Sequence, residues 1–382
     1  MMKVPLIKPD LPAFHEIEGP FREVLESGKI TNFGQFVTQF EADAGAFLGT
    51  QVATVSSGTL GLILTLQALG LERGQKVILP SFTFMATAQA VLYAGGVPVF
   101  ADIGEDMTLS PTDLETLLNR HEDVAVVLPV HMYGLPCQVG KISQVVNEAA
   151  QRLGRSIAIL YDAAHAFGAE LGGQRVGSFG AAEVFSLSVT KLLVSVEGGL
   201  VSSRDPDLIR VIRRMRNYGI EQNYDAQWPG LNGKMSELHA IIGLQNLRKV
   251  RENLAVRTEK AAHYTRYIED STCFRTIPVP PESTHTFKDF TVLVPPSMRK
   301  KRDAIIRFLS NMGVETRAYF DPPVHRQSYF MRFATRTLPT TEDYARRVIT
   351  LPFFTSISEA EMSRVVAALA EAERTFTQSL TA

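Results

Sequence analysis

Between residues 75 and 168 the chain alternates between two apolar patterns. Short, nearly all-apolar runs such as "QKVILPSF", "VPVFADI", "DVAVVLPVHMYG" and "SIAILYDAAHAFG" end in small or polar residues. Between two of them lies "TAQAVLYAGG", which has helical spacing and a Gly-Gly stop. Runs that are apolar on both faces predict strands of a sheet covered by helices on two sides. The alternation predicts an α/β fold with a mostly parallel central sheet.

From residue 236 the pattern changes. "SELHAIIGLQNLRKVRENLAVRTEKAAHYTRYI" predicts one long amphipathic helix, with Leu238, Ile242 and Gln245 to Leu247 at helical spacing and basic residues elsewhere. A proline-rich stretch, a strand "FTVLVPP", a helix "KRDAIIRFLSNMG" and a last helix "EAEMSRVVAALAEAERTF" follow. This predicts a smaller α+β domain. The expected division is a large α/β domain over 1–245 and a small C-terminal domain over 246–382.

Composition narrows the function classes. Thirty-nine basic and 40 acidic residues give a net charge of −1, with no long single-sign run, so no nucleic-acid partner is expected. Cys137 and Cys273 are the only cysteines, and no His or Cys cluster has metal-ligand spacing. Neither a disulfide framework nor a metal site is expected. No run reaches membrane-spanning length and the start lacks a signal-like apolar core, so the expectation is a cytoplasmic protein without a membrane partner.

Four stretches could carry chemistry, and each has two readings. In "SSGTLGLILTLQALGL", Ser57, Gly58 and Thr59 open a helix with Leu62, Leu66 and Leu69 on one face. They form either an ordinary cap or a seat for an anion at the helix start. In "PSFTFMATAQA", Phe82 and Phe84 follow a strand end, as core residues or as a stacking surface for a flat ring. Asp162 closes an apolar strand, either capping the next helix or pairing with a protonated ring nitrogen, with His165 three residues on. Lys191, in "FSLSVTKLLVSVEGG", is a lone lysine in an apolar run read as a strand. It either snorkels to solvent or, desolvated, is a nucleophilic amine suited to a Schiff base. Taken in order, with Asn232 in the turn-rich "WPGLNGKMSELHA", these are the parts of a pyridoxal phosphate (PLP) site.

"SGKITNFGQFVTQFEADAGAFLG", "SSGT", "PSFTFMAT", "DAAHAFGA", "SLSVTKLLVSVEGG", "MRNYGI", "GLNGKMSELHAIIGLQNL" and "ITLPFF" follow one another nearly from end to end. In these motifs and their order the chain resembles the DegT/StrS-type family of PLP-dependent sugar aminotransferases, within the fold-type I superfamily. The resemblance implies that Lys191 bonds covalently to PLP and Asp162 pairs with its pyridine nitrogen. It also implies that Phe84 stacks on the ring, that His165 lies near the 3-hydroxyl, and that Gly58, Thr59 and Ser186 bind the phosphate. Asn232 matches an asparagine lent to the neighbouring subunit's cofactor phosphate, which implies a homodimer with active sites at the interface. Three positions depart from the family pattern: His165 stands where many members have glutamine, Ser188 where a larger residue is frequent, and Lys234 where arginine is frequent.

The implied activity is two-stage transamination, with PLP cycling through pyridoxamine phosphate. The amino group passes from L-glutamate to a nucleotide-linked keto-deoxysugar. Rival readings are an acceptor without a nucleotide, such as a keto-cyclitol, and a PLP-binding regulator with no turnover. The family's sugar dehydratase offshoot has histidine at the lysine position, and Lys191 argues against it.

Overall fold

The computed structural model describes residues 3–378. Its first half is built from β1 (Gln51–Val55), α3 (Gly58–Ala68), β2 (Lys76–Pro80), α4 (Met85–Tyr93), β3 (Val97–Ala101), α5 (Pro111–Arg120), β4 (Val124–Val127), α6 (Val139–Leu153) and β5 (Ala158–Asp162). α1 (Phe14–Ser27) and α2 (Gln35–Leu48) precede them. A two-residue ribbon, β6 (Glu170–Leu171) and β7 (Gln174–Arg175), leads to β8 (Ala182–Ser186), β9 (Gly199–Ser203) and α7 (Pro206–Met215). The strands assemble as β1-β9-β8-β5-β4-β2-β3. Only β9 runs against its neighbours, pairing antiparallel with both β1 and β8. The fold is therefore the expected α/β architecture with a mostly parallel sheet.

Register explains why the site forms where it does. Val55 and Ser186 both pair with Gly199, so the carboxyl ends of β1 and β8 are drawn to one row of the sheet. Asp162, at the end of β5, pairs with Val184 two residues earlier on β8. The loops that leave these strand ends open at one edge, where open α/β sheets bind ligands.

α3 follows β1 at once. Ser57 accepts the N–H of Leu60 as its cap, and the helix is buried nearly all round. Leu62, Leu64 and Leu66 all enter the core, while Leu69 is only partly buried; the single apolar stripe expected at 62, 66 and 69 is too narrow, because α3 is packed on more than one side. The sheet has apolar clusters on its two faces, one around Leu64, Leu79 and Val184 and another around Ile78, Leu117 and Ile142.

α8 (Glu237–Ser271) is one unbroken helix of 35 residues. Its first half packs Ala240, Leu244, Leu247 and Val250 into one apolar core, and its second half sends Ala261, Tyr264 and Ile268 into another. Leu238 and Ile242, expected inside, are only partly buried, because the face that meets α2 is centred on Ala240, Gly243 and Leu244. Gly243 is required there: a Cβ would lie 2.7 Å from the Phe40 ring.

After α8 come β10 (Arg275–Thr276), β11 (Ser283–Thr284), β12 (Phe290–Leu293), α9 (Arg302–Asn311), α10 (Pro339–Ala345), β13 (Val348–Leu351) and α11 (Glu359–Gln378). β10-β12-β13 form an antiparallel sheet, and β11 joins the β6-β7 ribbon. Val4 bridges to Val314 and lies in the same apolar core as Tyr264 and Ile268. We propose that the division passes through α8 and that the N-terminal strap goes with the smaller unit.

Candidate active site

The carboxyl edge of the sheet encloses a cavity of about 360 Å³. Gly58, Thr59, Phe84, Asp162, His165, Ser186 and Lys191 all line it. Asn232 does not; it is exposed and forms a bridge with Asn217. Seven of the eight residues expected at a site thus converge from segments spread over more than a hundred positions.

Asp162 is buried. Thr87 on α4 donates its hydroxyl to one carboxylate oxygen at 2.8 Å, and the N–H of Ala164 donates to the other at 3.0 Å. Burial raises this carboxyl above its usual range, opposed by those two donors and by the Lys191 charge. The N–H of His131 holds the Asp162 carbonyl at 3.0 Å. The N–H of Cys137 donates to the His131 Nδ1 at 3.0 Å, so the proton sits on Nε2, which meets buried Glu183 at 3.2 Å.

Lys191 lies in the loop after β8, not on a strand; its N–H donates to the Ser188 carbonyl at 2.9 Å. The strand ends at Ser186 because the chain must turn back to form β9, and the apolar residues after the lysine, Leu192 to Val194, are buried as loop. Burial pushes the Lys191 ammonium down to about 7, with the Lys288 charge the next contributor. Near neutrality a large fraction of this amine is uncharged and nucleophilic.

Bare backbone frames the other end. Gly58 and Thr59 supply N–H groups of the kind an α-helix leaves without intrahelical partners. A Cβ on Gly58 would come within 3.0 Å of the Ser186 Cβ, and one on Gly199 within 2.7 Å of the Gly58 nitrogen. Ser186 and Ser188 hydroxyls sit 3.5 Å apart beside it. Phe84 caps no hydrogen bond at the start of α4; its ring, half exposed, lies 6.2 Å from Phe320 at a tilt of 48°. Phe82 is core, fully buried and edge-on to Tyr133 at 6.3 Å.

A chain-wide match decides what this arrangement belongs to. Residues 14–370 match the model of the DegT/DnrJ/EryC1/StrS aminotransferase family. The protein belongs to that family. GDP-perosamine synthase of Caulobacter vibrioides is 31% identical over 352 residues, covering 91% of this chain and 92% of that one. A UDP-N-acetyl-3-dehydro-alpha-D-glucosamine 3-aminotransferase of Acidithiobacillus ferrooxidans is 32% identical over 353 residues, covering 88% and 90%. Among solved structures, DesI in the presence of its TDP-sugar product superposes with a TM-score of 0.91 at 30% identity, over 100% of this chain and 96% of that one.

As a member of this aminotransferase family, the protein is a PLP-dependent enzyme of fold type I. The cavity fits that cofactor. Its ring nitrogen is cationic when protonated, and a buried carboxylate requires such a partner. Its phosphate suits the helix start and the side-chain-free backbone at Gly58 and Gly199. His165 is buried with an Nδ1 that has no hydrogen-bond partner, a vacancy that a ligand hydroxyl would fill. Burial holds the His165 ring well below its usual pKa, so it is neutral and can accept as well as donate.

Thr87, Lys288, Tyr319 and Phe320 also line the cavity, and the sequence did not single them out. Thr87 stood in the quoted "PSFTFMAT" and is one helical turn beyond Thr83, whose hydroxyl it meets at 2.9 Å. Lys288 and Asp289 were a signal too: adjacent charges inside the aromatic run "TFKDF". Nothing local marks Tyr319 and Phe320.

Proposed function

We propose that the protein transfers the amino group of L-glutamate to the keto carbon of a nucleotide-linked deoxysugar, in aminosugar biosynthesis. The observation that carries this reading is Lys191 and Asp162 in one cavity, the amine brought down to about 7 and the carboxylate held by Thr87 and Ala164. Both curated relatives named above act on nucleotide sugars by their names, and DesI was crystallised with a TDP-sugar.

In this reading Lys191 holds the cofactor covalently, Asp162 holds its ring nitrogen, Phe84 covers a ring face and His165 meets the 3-hydroxyl. Gly58, Thr59 and Ser186 hold the phosphate. When bound, PLP supplies an aldehyde carbon to take up amino groups and a protonated ring to accept the electron pair left at the donor's Cα. Asp162 keeps the proton on that ring nitrogen. Once released by the incoming donor, the Lys191 Nζ would take the proton from the donor's Cα as general base and, as general acid, deliver it to the cofactor carbon that has taken up the nitrogen. The same amine serves the second half, adding a proton at the sugar carbon that gains nitrogen. Ser188, Thr190 and Glu197 line the cavity with polar groups suited to sugar hydroxyls.

The homodimer belongs to this proposal. Asn232 is exposed, and the segment before it carries the exposed side chains of Tyr218, Tyr224 and Leu231. Such a patch fits a second copy, into whose cofactor site Asn232 would reach. No helix among the described residues is long and apolar enough to cross a membrane, and a cytoplasmic location fits a nucleotide-sugar substrate.

The test is a screen of GDP-, UDP- and dTDP-linked keto sugars with glutamate, scored by 2-oxoglutarate and by mass of the aminated product. Turnover with one nucleotide class and none with keto-cyclitols is expected. Turnover only with a free cyclitol would remove the nucleotide from the reading.

A further inference from the structure

The cavity holds a second lysine that the transamination chemistry leaves without a role. Lys288 comes from the smaller unit, two residues before β12, and is buried. It lines the same cavity as Lys191. Its placement is firmly set. The Lys288 N–H donates to the Tyr133 carbonyl at 3.0 Å and the Thr286 N–H to the Gly134 carbonyl at 3.2 Å. The Thr286 hydroxyl donates to the His165 carbonyl at 2.6 Å. Gly134, at φ +101°, has no room for a side chain, since a Cβ would lie 1.9 Å from the Thr286 Oγ1.

The ammonium of Lys288 meets both oxygens of buried Asp289, at 2.8 and 2.9 Å, and stands 5.6 Å from the Tyr319 ring centroid. Three N–H bonds radiate from an ammonium, so pairing with two oxygens leaves donor capacity. A buried ion pair contributes little net stability, and a lysine with an apolar alternative would serve packing as well. A charge kept at a ligand cavity is instead explained by what enters the cavity.

The donor brings two carboxylates, which need cations. No arginine lines the cavity among the described residues, and His165 is neutral. Lys191 must be an uncharged amine to act, so it cannot also serve as a standing anion partner. Among the cavity-lining residues of this chain, Lys288 is the cation that remains. We propose that Lys288 anchors a carboxylate of the amino donor, held in place by Asp289 and Tyr319. This rests on the amino acid being the donor, as argued above. The charge of Lys288 also lowers the ammonium of Lys191, so one residue serves both recognition and readiness of the amine.

The test uses the full-length holoenzyme and glutarate, an unreactive dicarboxylate with the donor's carbon chain, with the uncharged glutaramide as control. Calorimetry should show glutarate binding to the wild type about 30-fold more tightly than to Lys288→Met, with Lys288→Arg recovering most of the loss. The KM for glutamate should rise by a similar factor while the KM for the keto sugar stays unchanged. Should Lys288→Met fail to fold, Lys288→Gln, which keeps a hydrogen bond to Asp289, reads the same quantities. Glutarate binding at wild-type strength in a folded, coloured variant overturns the anchor, as does a shift in the sugar KM alone. A colourless wild type, or one inert with glutamate and every keto sugar, overturns instead the function proposed above.

Discussion

Thr87 donates its hydroxyl to the carboxylate of Asp162 at 2.8 Å, across a separation of 75 residues. One lies in the first turns of α4 and the other at the end of β5, so the bond forms only when the sheet is assembled. It is one of two donors that oppose the cost of burying Asp162. These donors offset part of the burial that raises the Asp162 carboxyl, and a cationic ligand would oppose it further.

Removing that donor should weaken the hold on the cofactor without abolishing it. Thr87→Val leaves Asp162 with the Ala164 N–H alone, at a cost of roughly 1–2 kcal/mol, about tenfold in cofactor affinity. Asp162→Asn loses the charge itself, and the rate of the glutamate half-reaction should fall by about 10²-fold or more. Cofactor release followed by absorbance and single-turnover rates with glutamate measure the two effects. Equal damage from both substitutions would show that Thr87 has a larger part than orienting Asp162.

How far this site was legible depends on where each contact is made. The strands β2, β3, β4 and β5 were visible as apolar runs because both faces of the sheet are covered. Asp162 was visible because it ends such a run. Lys191 was visible as a charge in a greasy context, yet its conformation was not: an apolar run reads as a strand whether its burial comes from pairing or from a loop folded into the core. Lys288 and Phe320 reach the cavity only through docking of the smaller unit, through contacts such as that of Thr286 with His165. No local pattern encodes that docking.

The depressed ammonium of Lys191 gives a signed pH dependence. In the apoprotein, its reaction with PLP requires the uncharged amine, so the rate should rise with pH and level off above about 7. An ordinary lysine would continue to rise toward its usual value of 10.5. Because the unfolded chain binds this proton more tightly, the group's contribution to stability is complete above the unfolded value and is lost as pH falls toward 7. Apoprotein carrying Lys191→Met should accordingly be more stable than wild type at pH 6, with the gap closing at higher pH. Rates that rise steadily through pH 9 would place the amine in solvent.

Glu237, the first residue of α8, caps a different helix. Its carboxylate accepts the N–H of Gly34 at 2.7 Å, of Phe36 at 2.8 Å and of Val37 at 3.1 Å, closing the start of α2 from 200 residues away. An acidic group at a helix N-terminus gains from both hydrogen bonds and the dipole. Glu237→Ala leaves three backbone donors with no partner and should destabilise the protein by about 3 kcal/mol. Urea unfolding of the two proteins, compared at the first transition, measures this. A loss below about 1 kcal/mol would show that water replaces the carboxylate at this helix start.

Gly199 joins the stability of the sheet to cofactor binding. It pairs with Val55 on one side and Ser186 on the other, and a Cβ there would lie 2.7 Å from both the Gly58 nitrogen and the Ser57 carbonyl carbon. These are backbone atoms, so no side chain can swing away to make room. Gly199→Ala must therefore push the start of α3 away from β9. The expected result is a loss of about 2–3 kcal/mol in stability and a comparable fall, about 100-fold, in cofactor affinity, because the phosphate seat is what moves. Tyr93→Ala, at an exposed position at the end of α4, should change neither. Gly199→Ala protein that binds PLP normally would place the phosphate away from the α3 start, and with it the reading of Gly58 and Thr59.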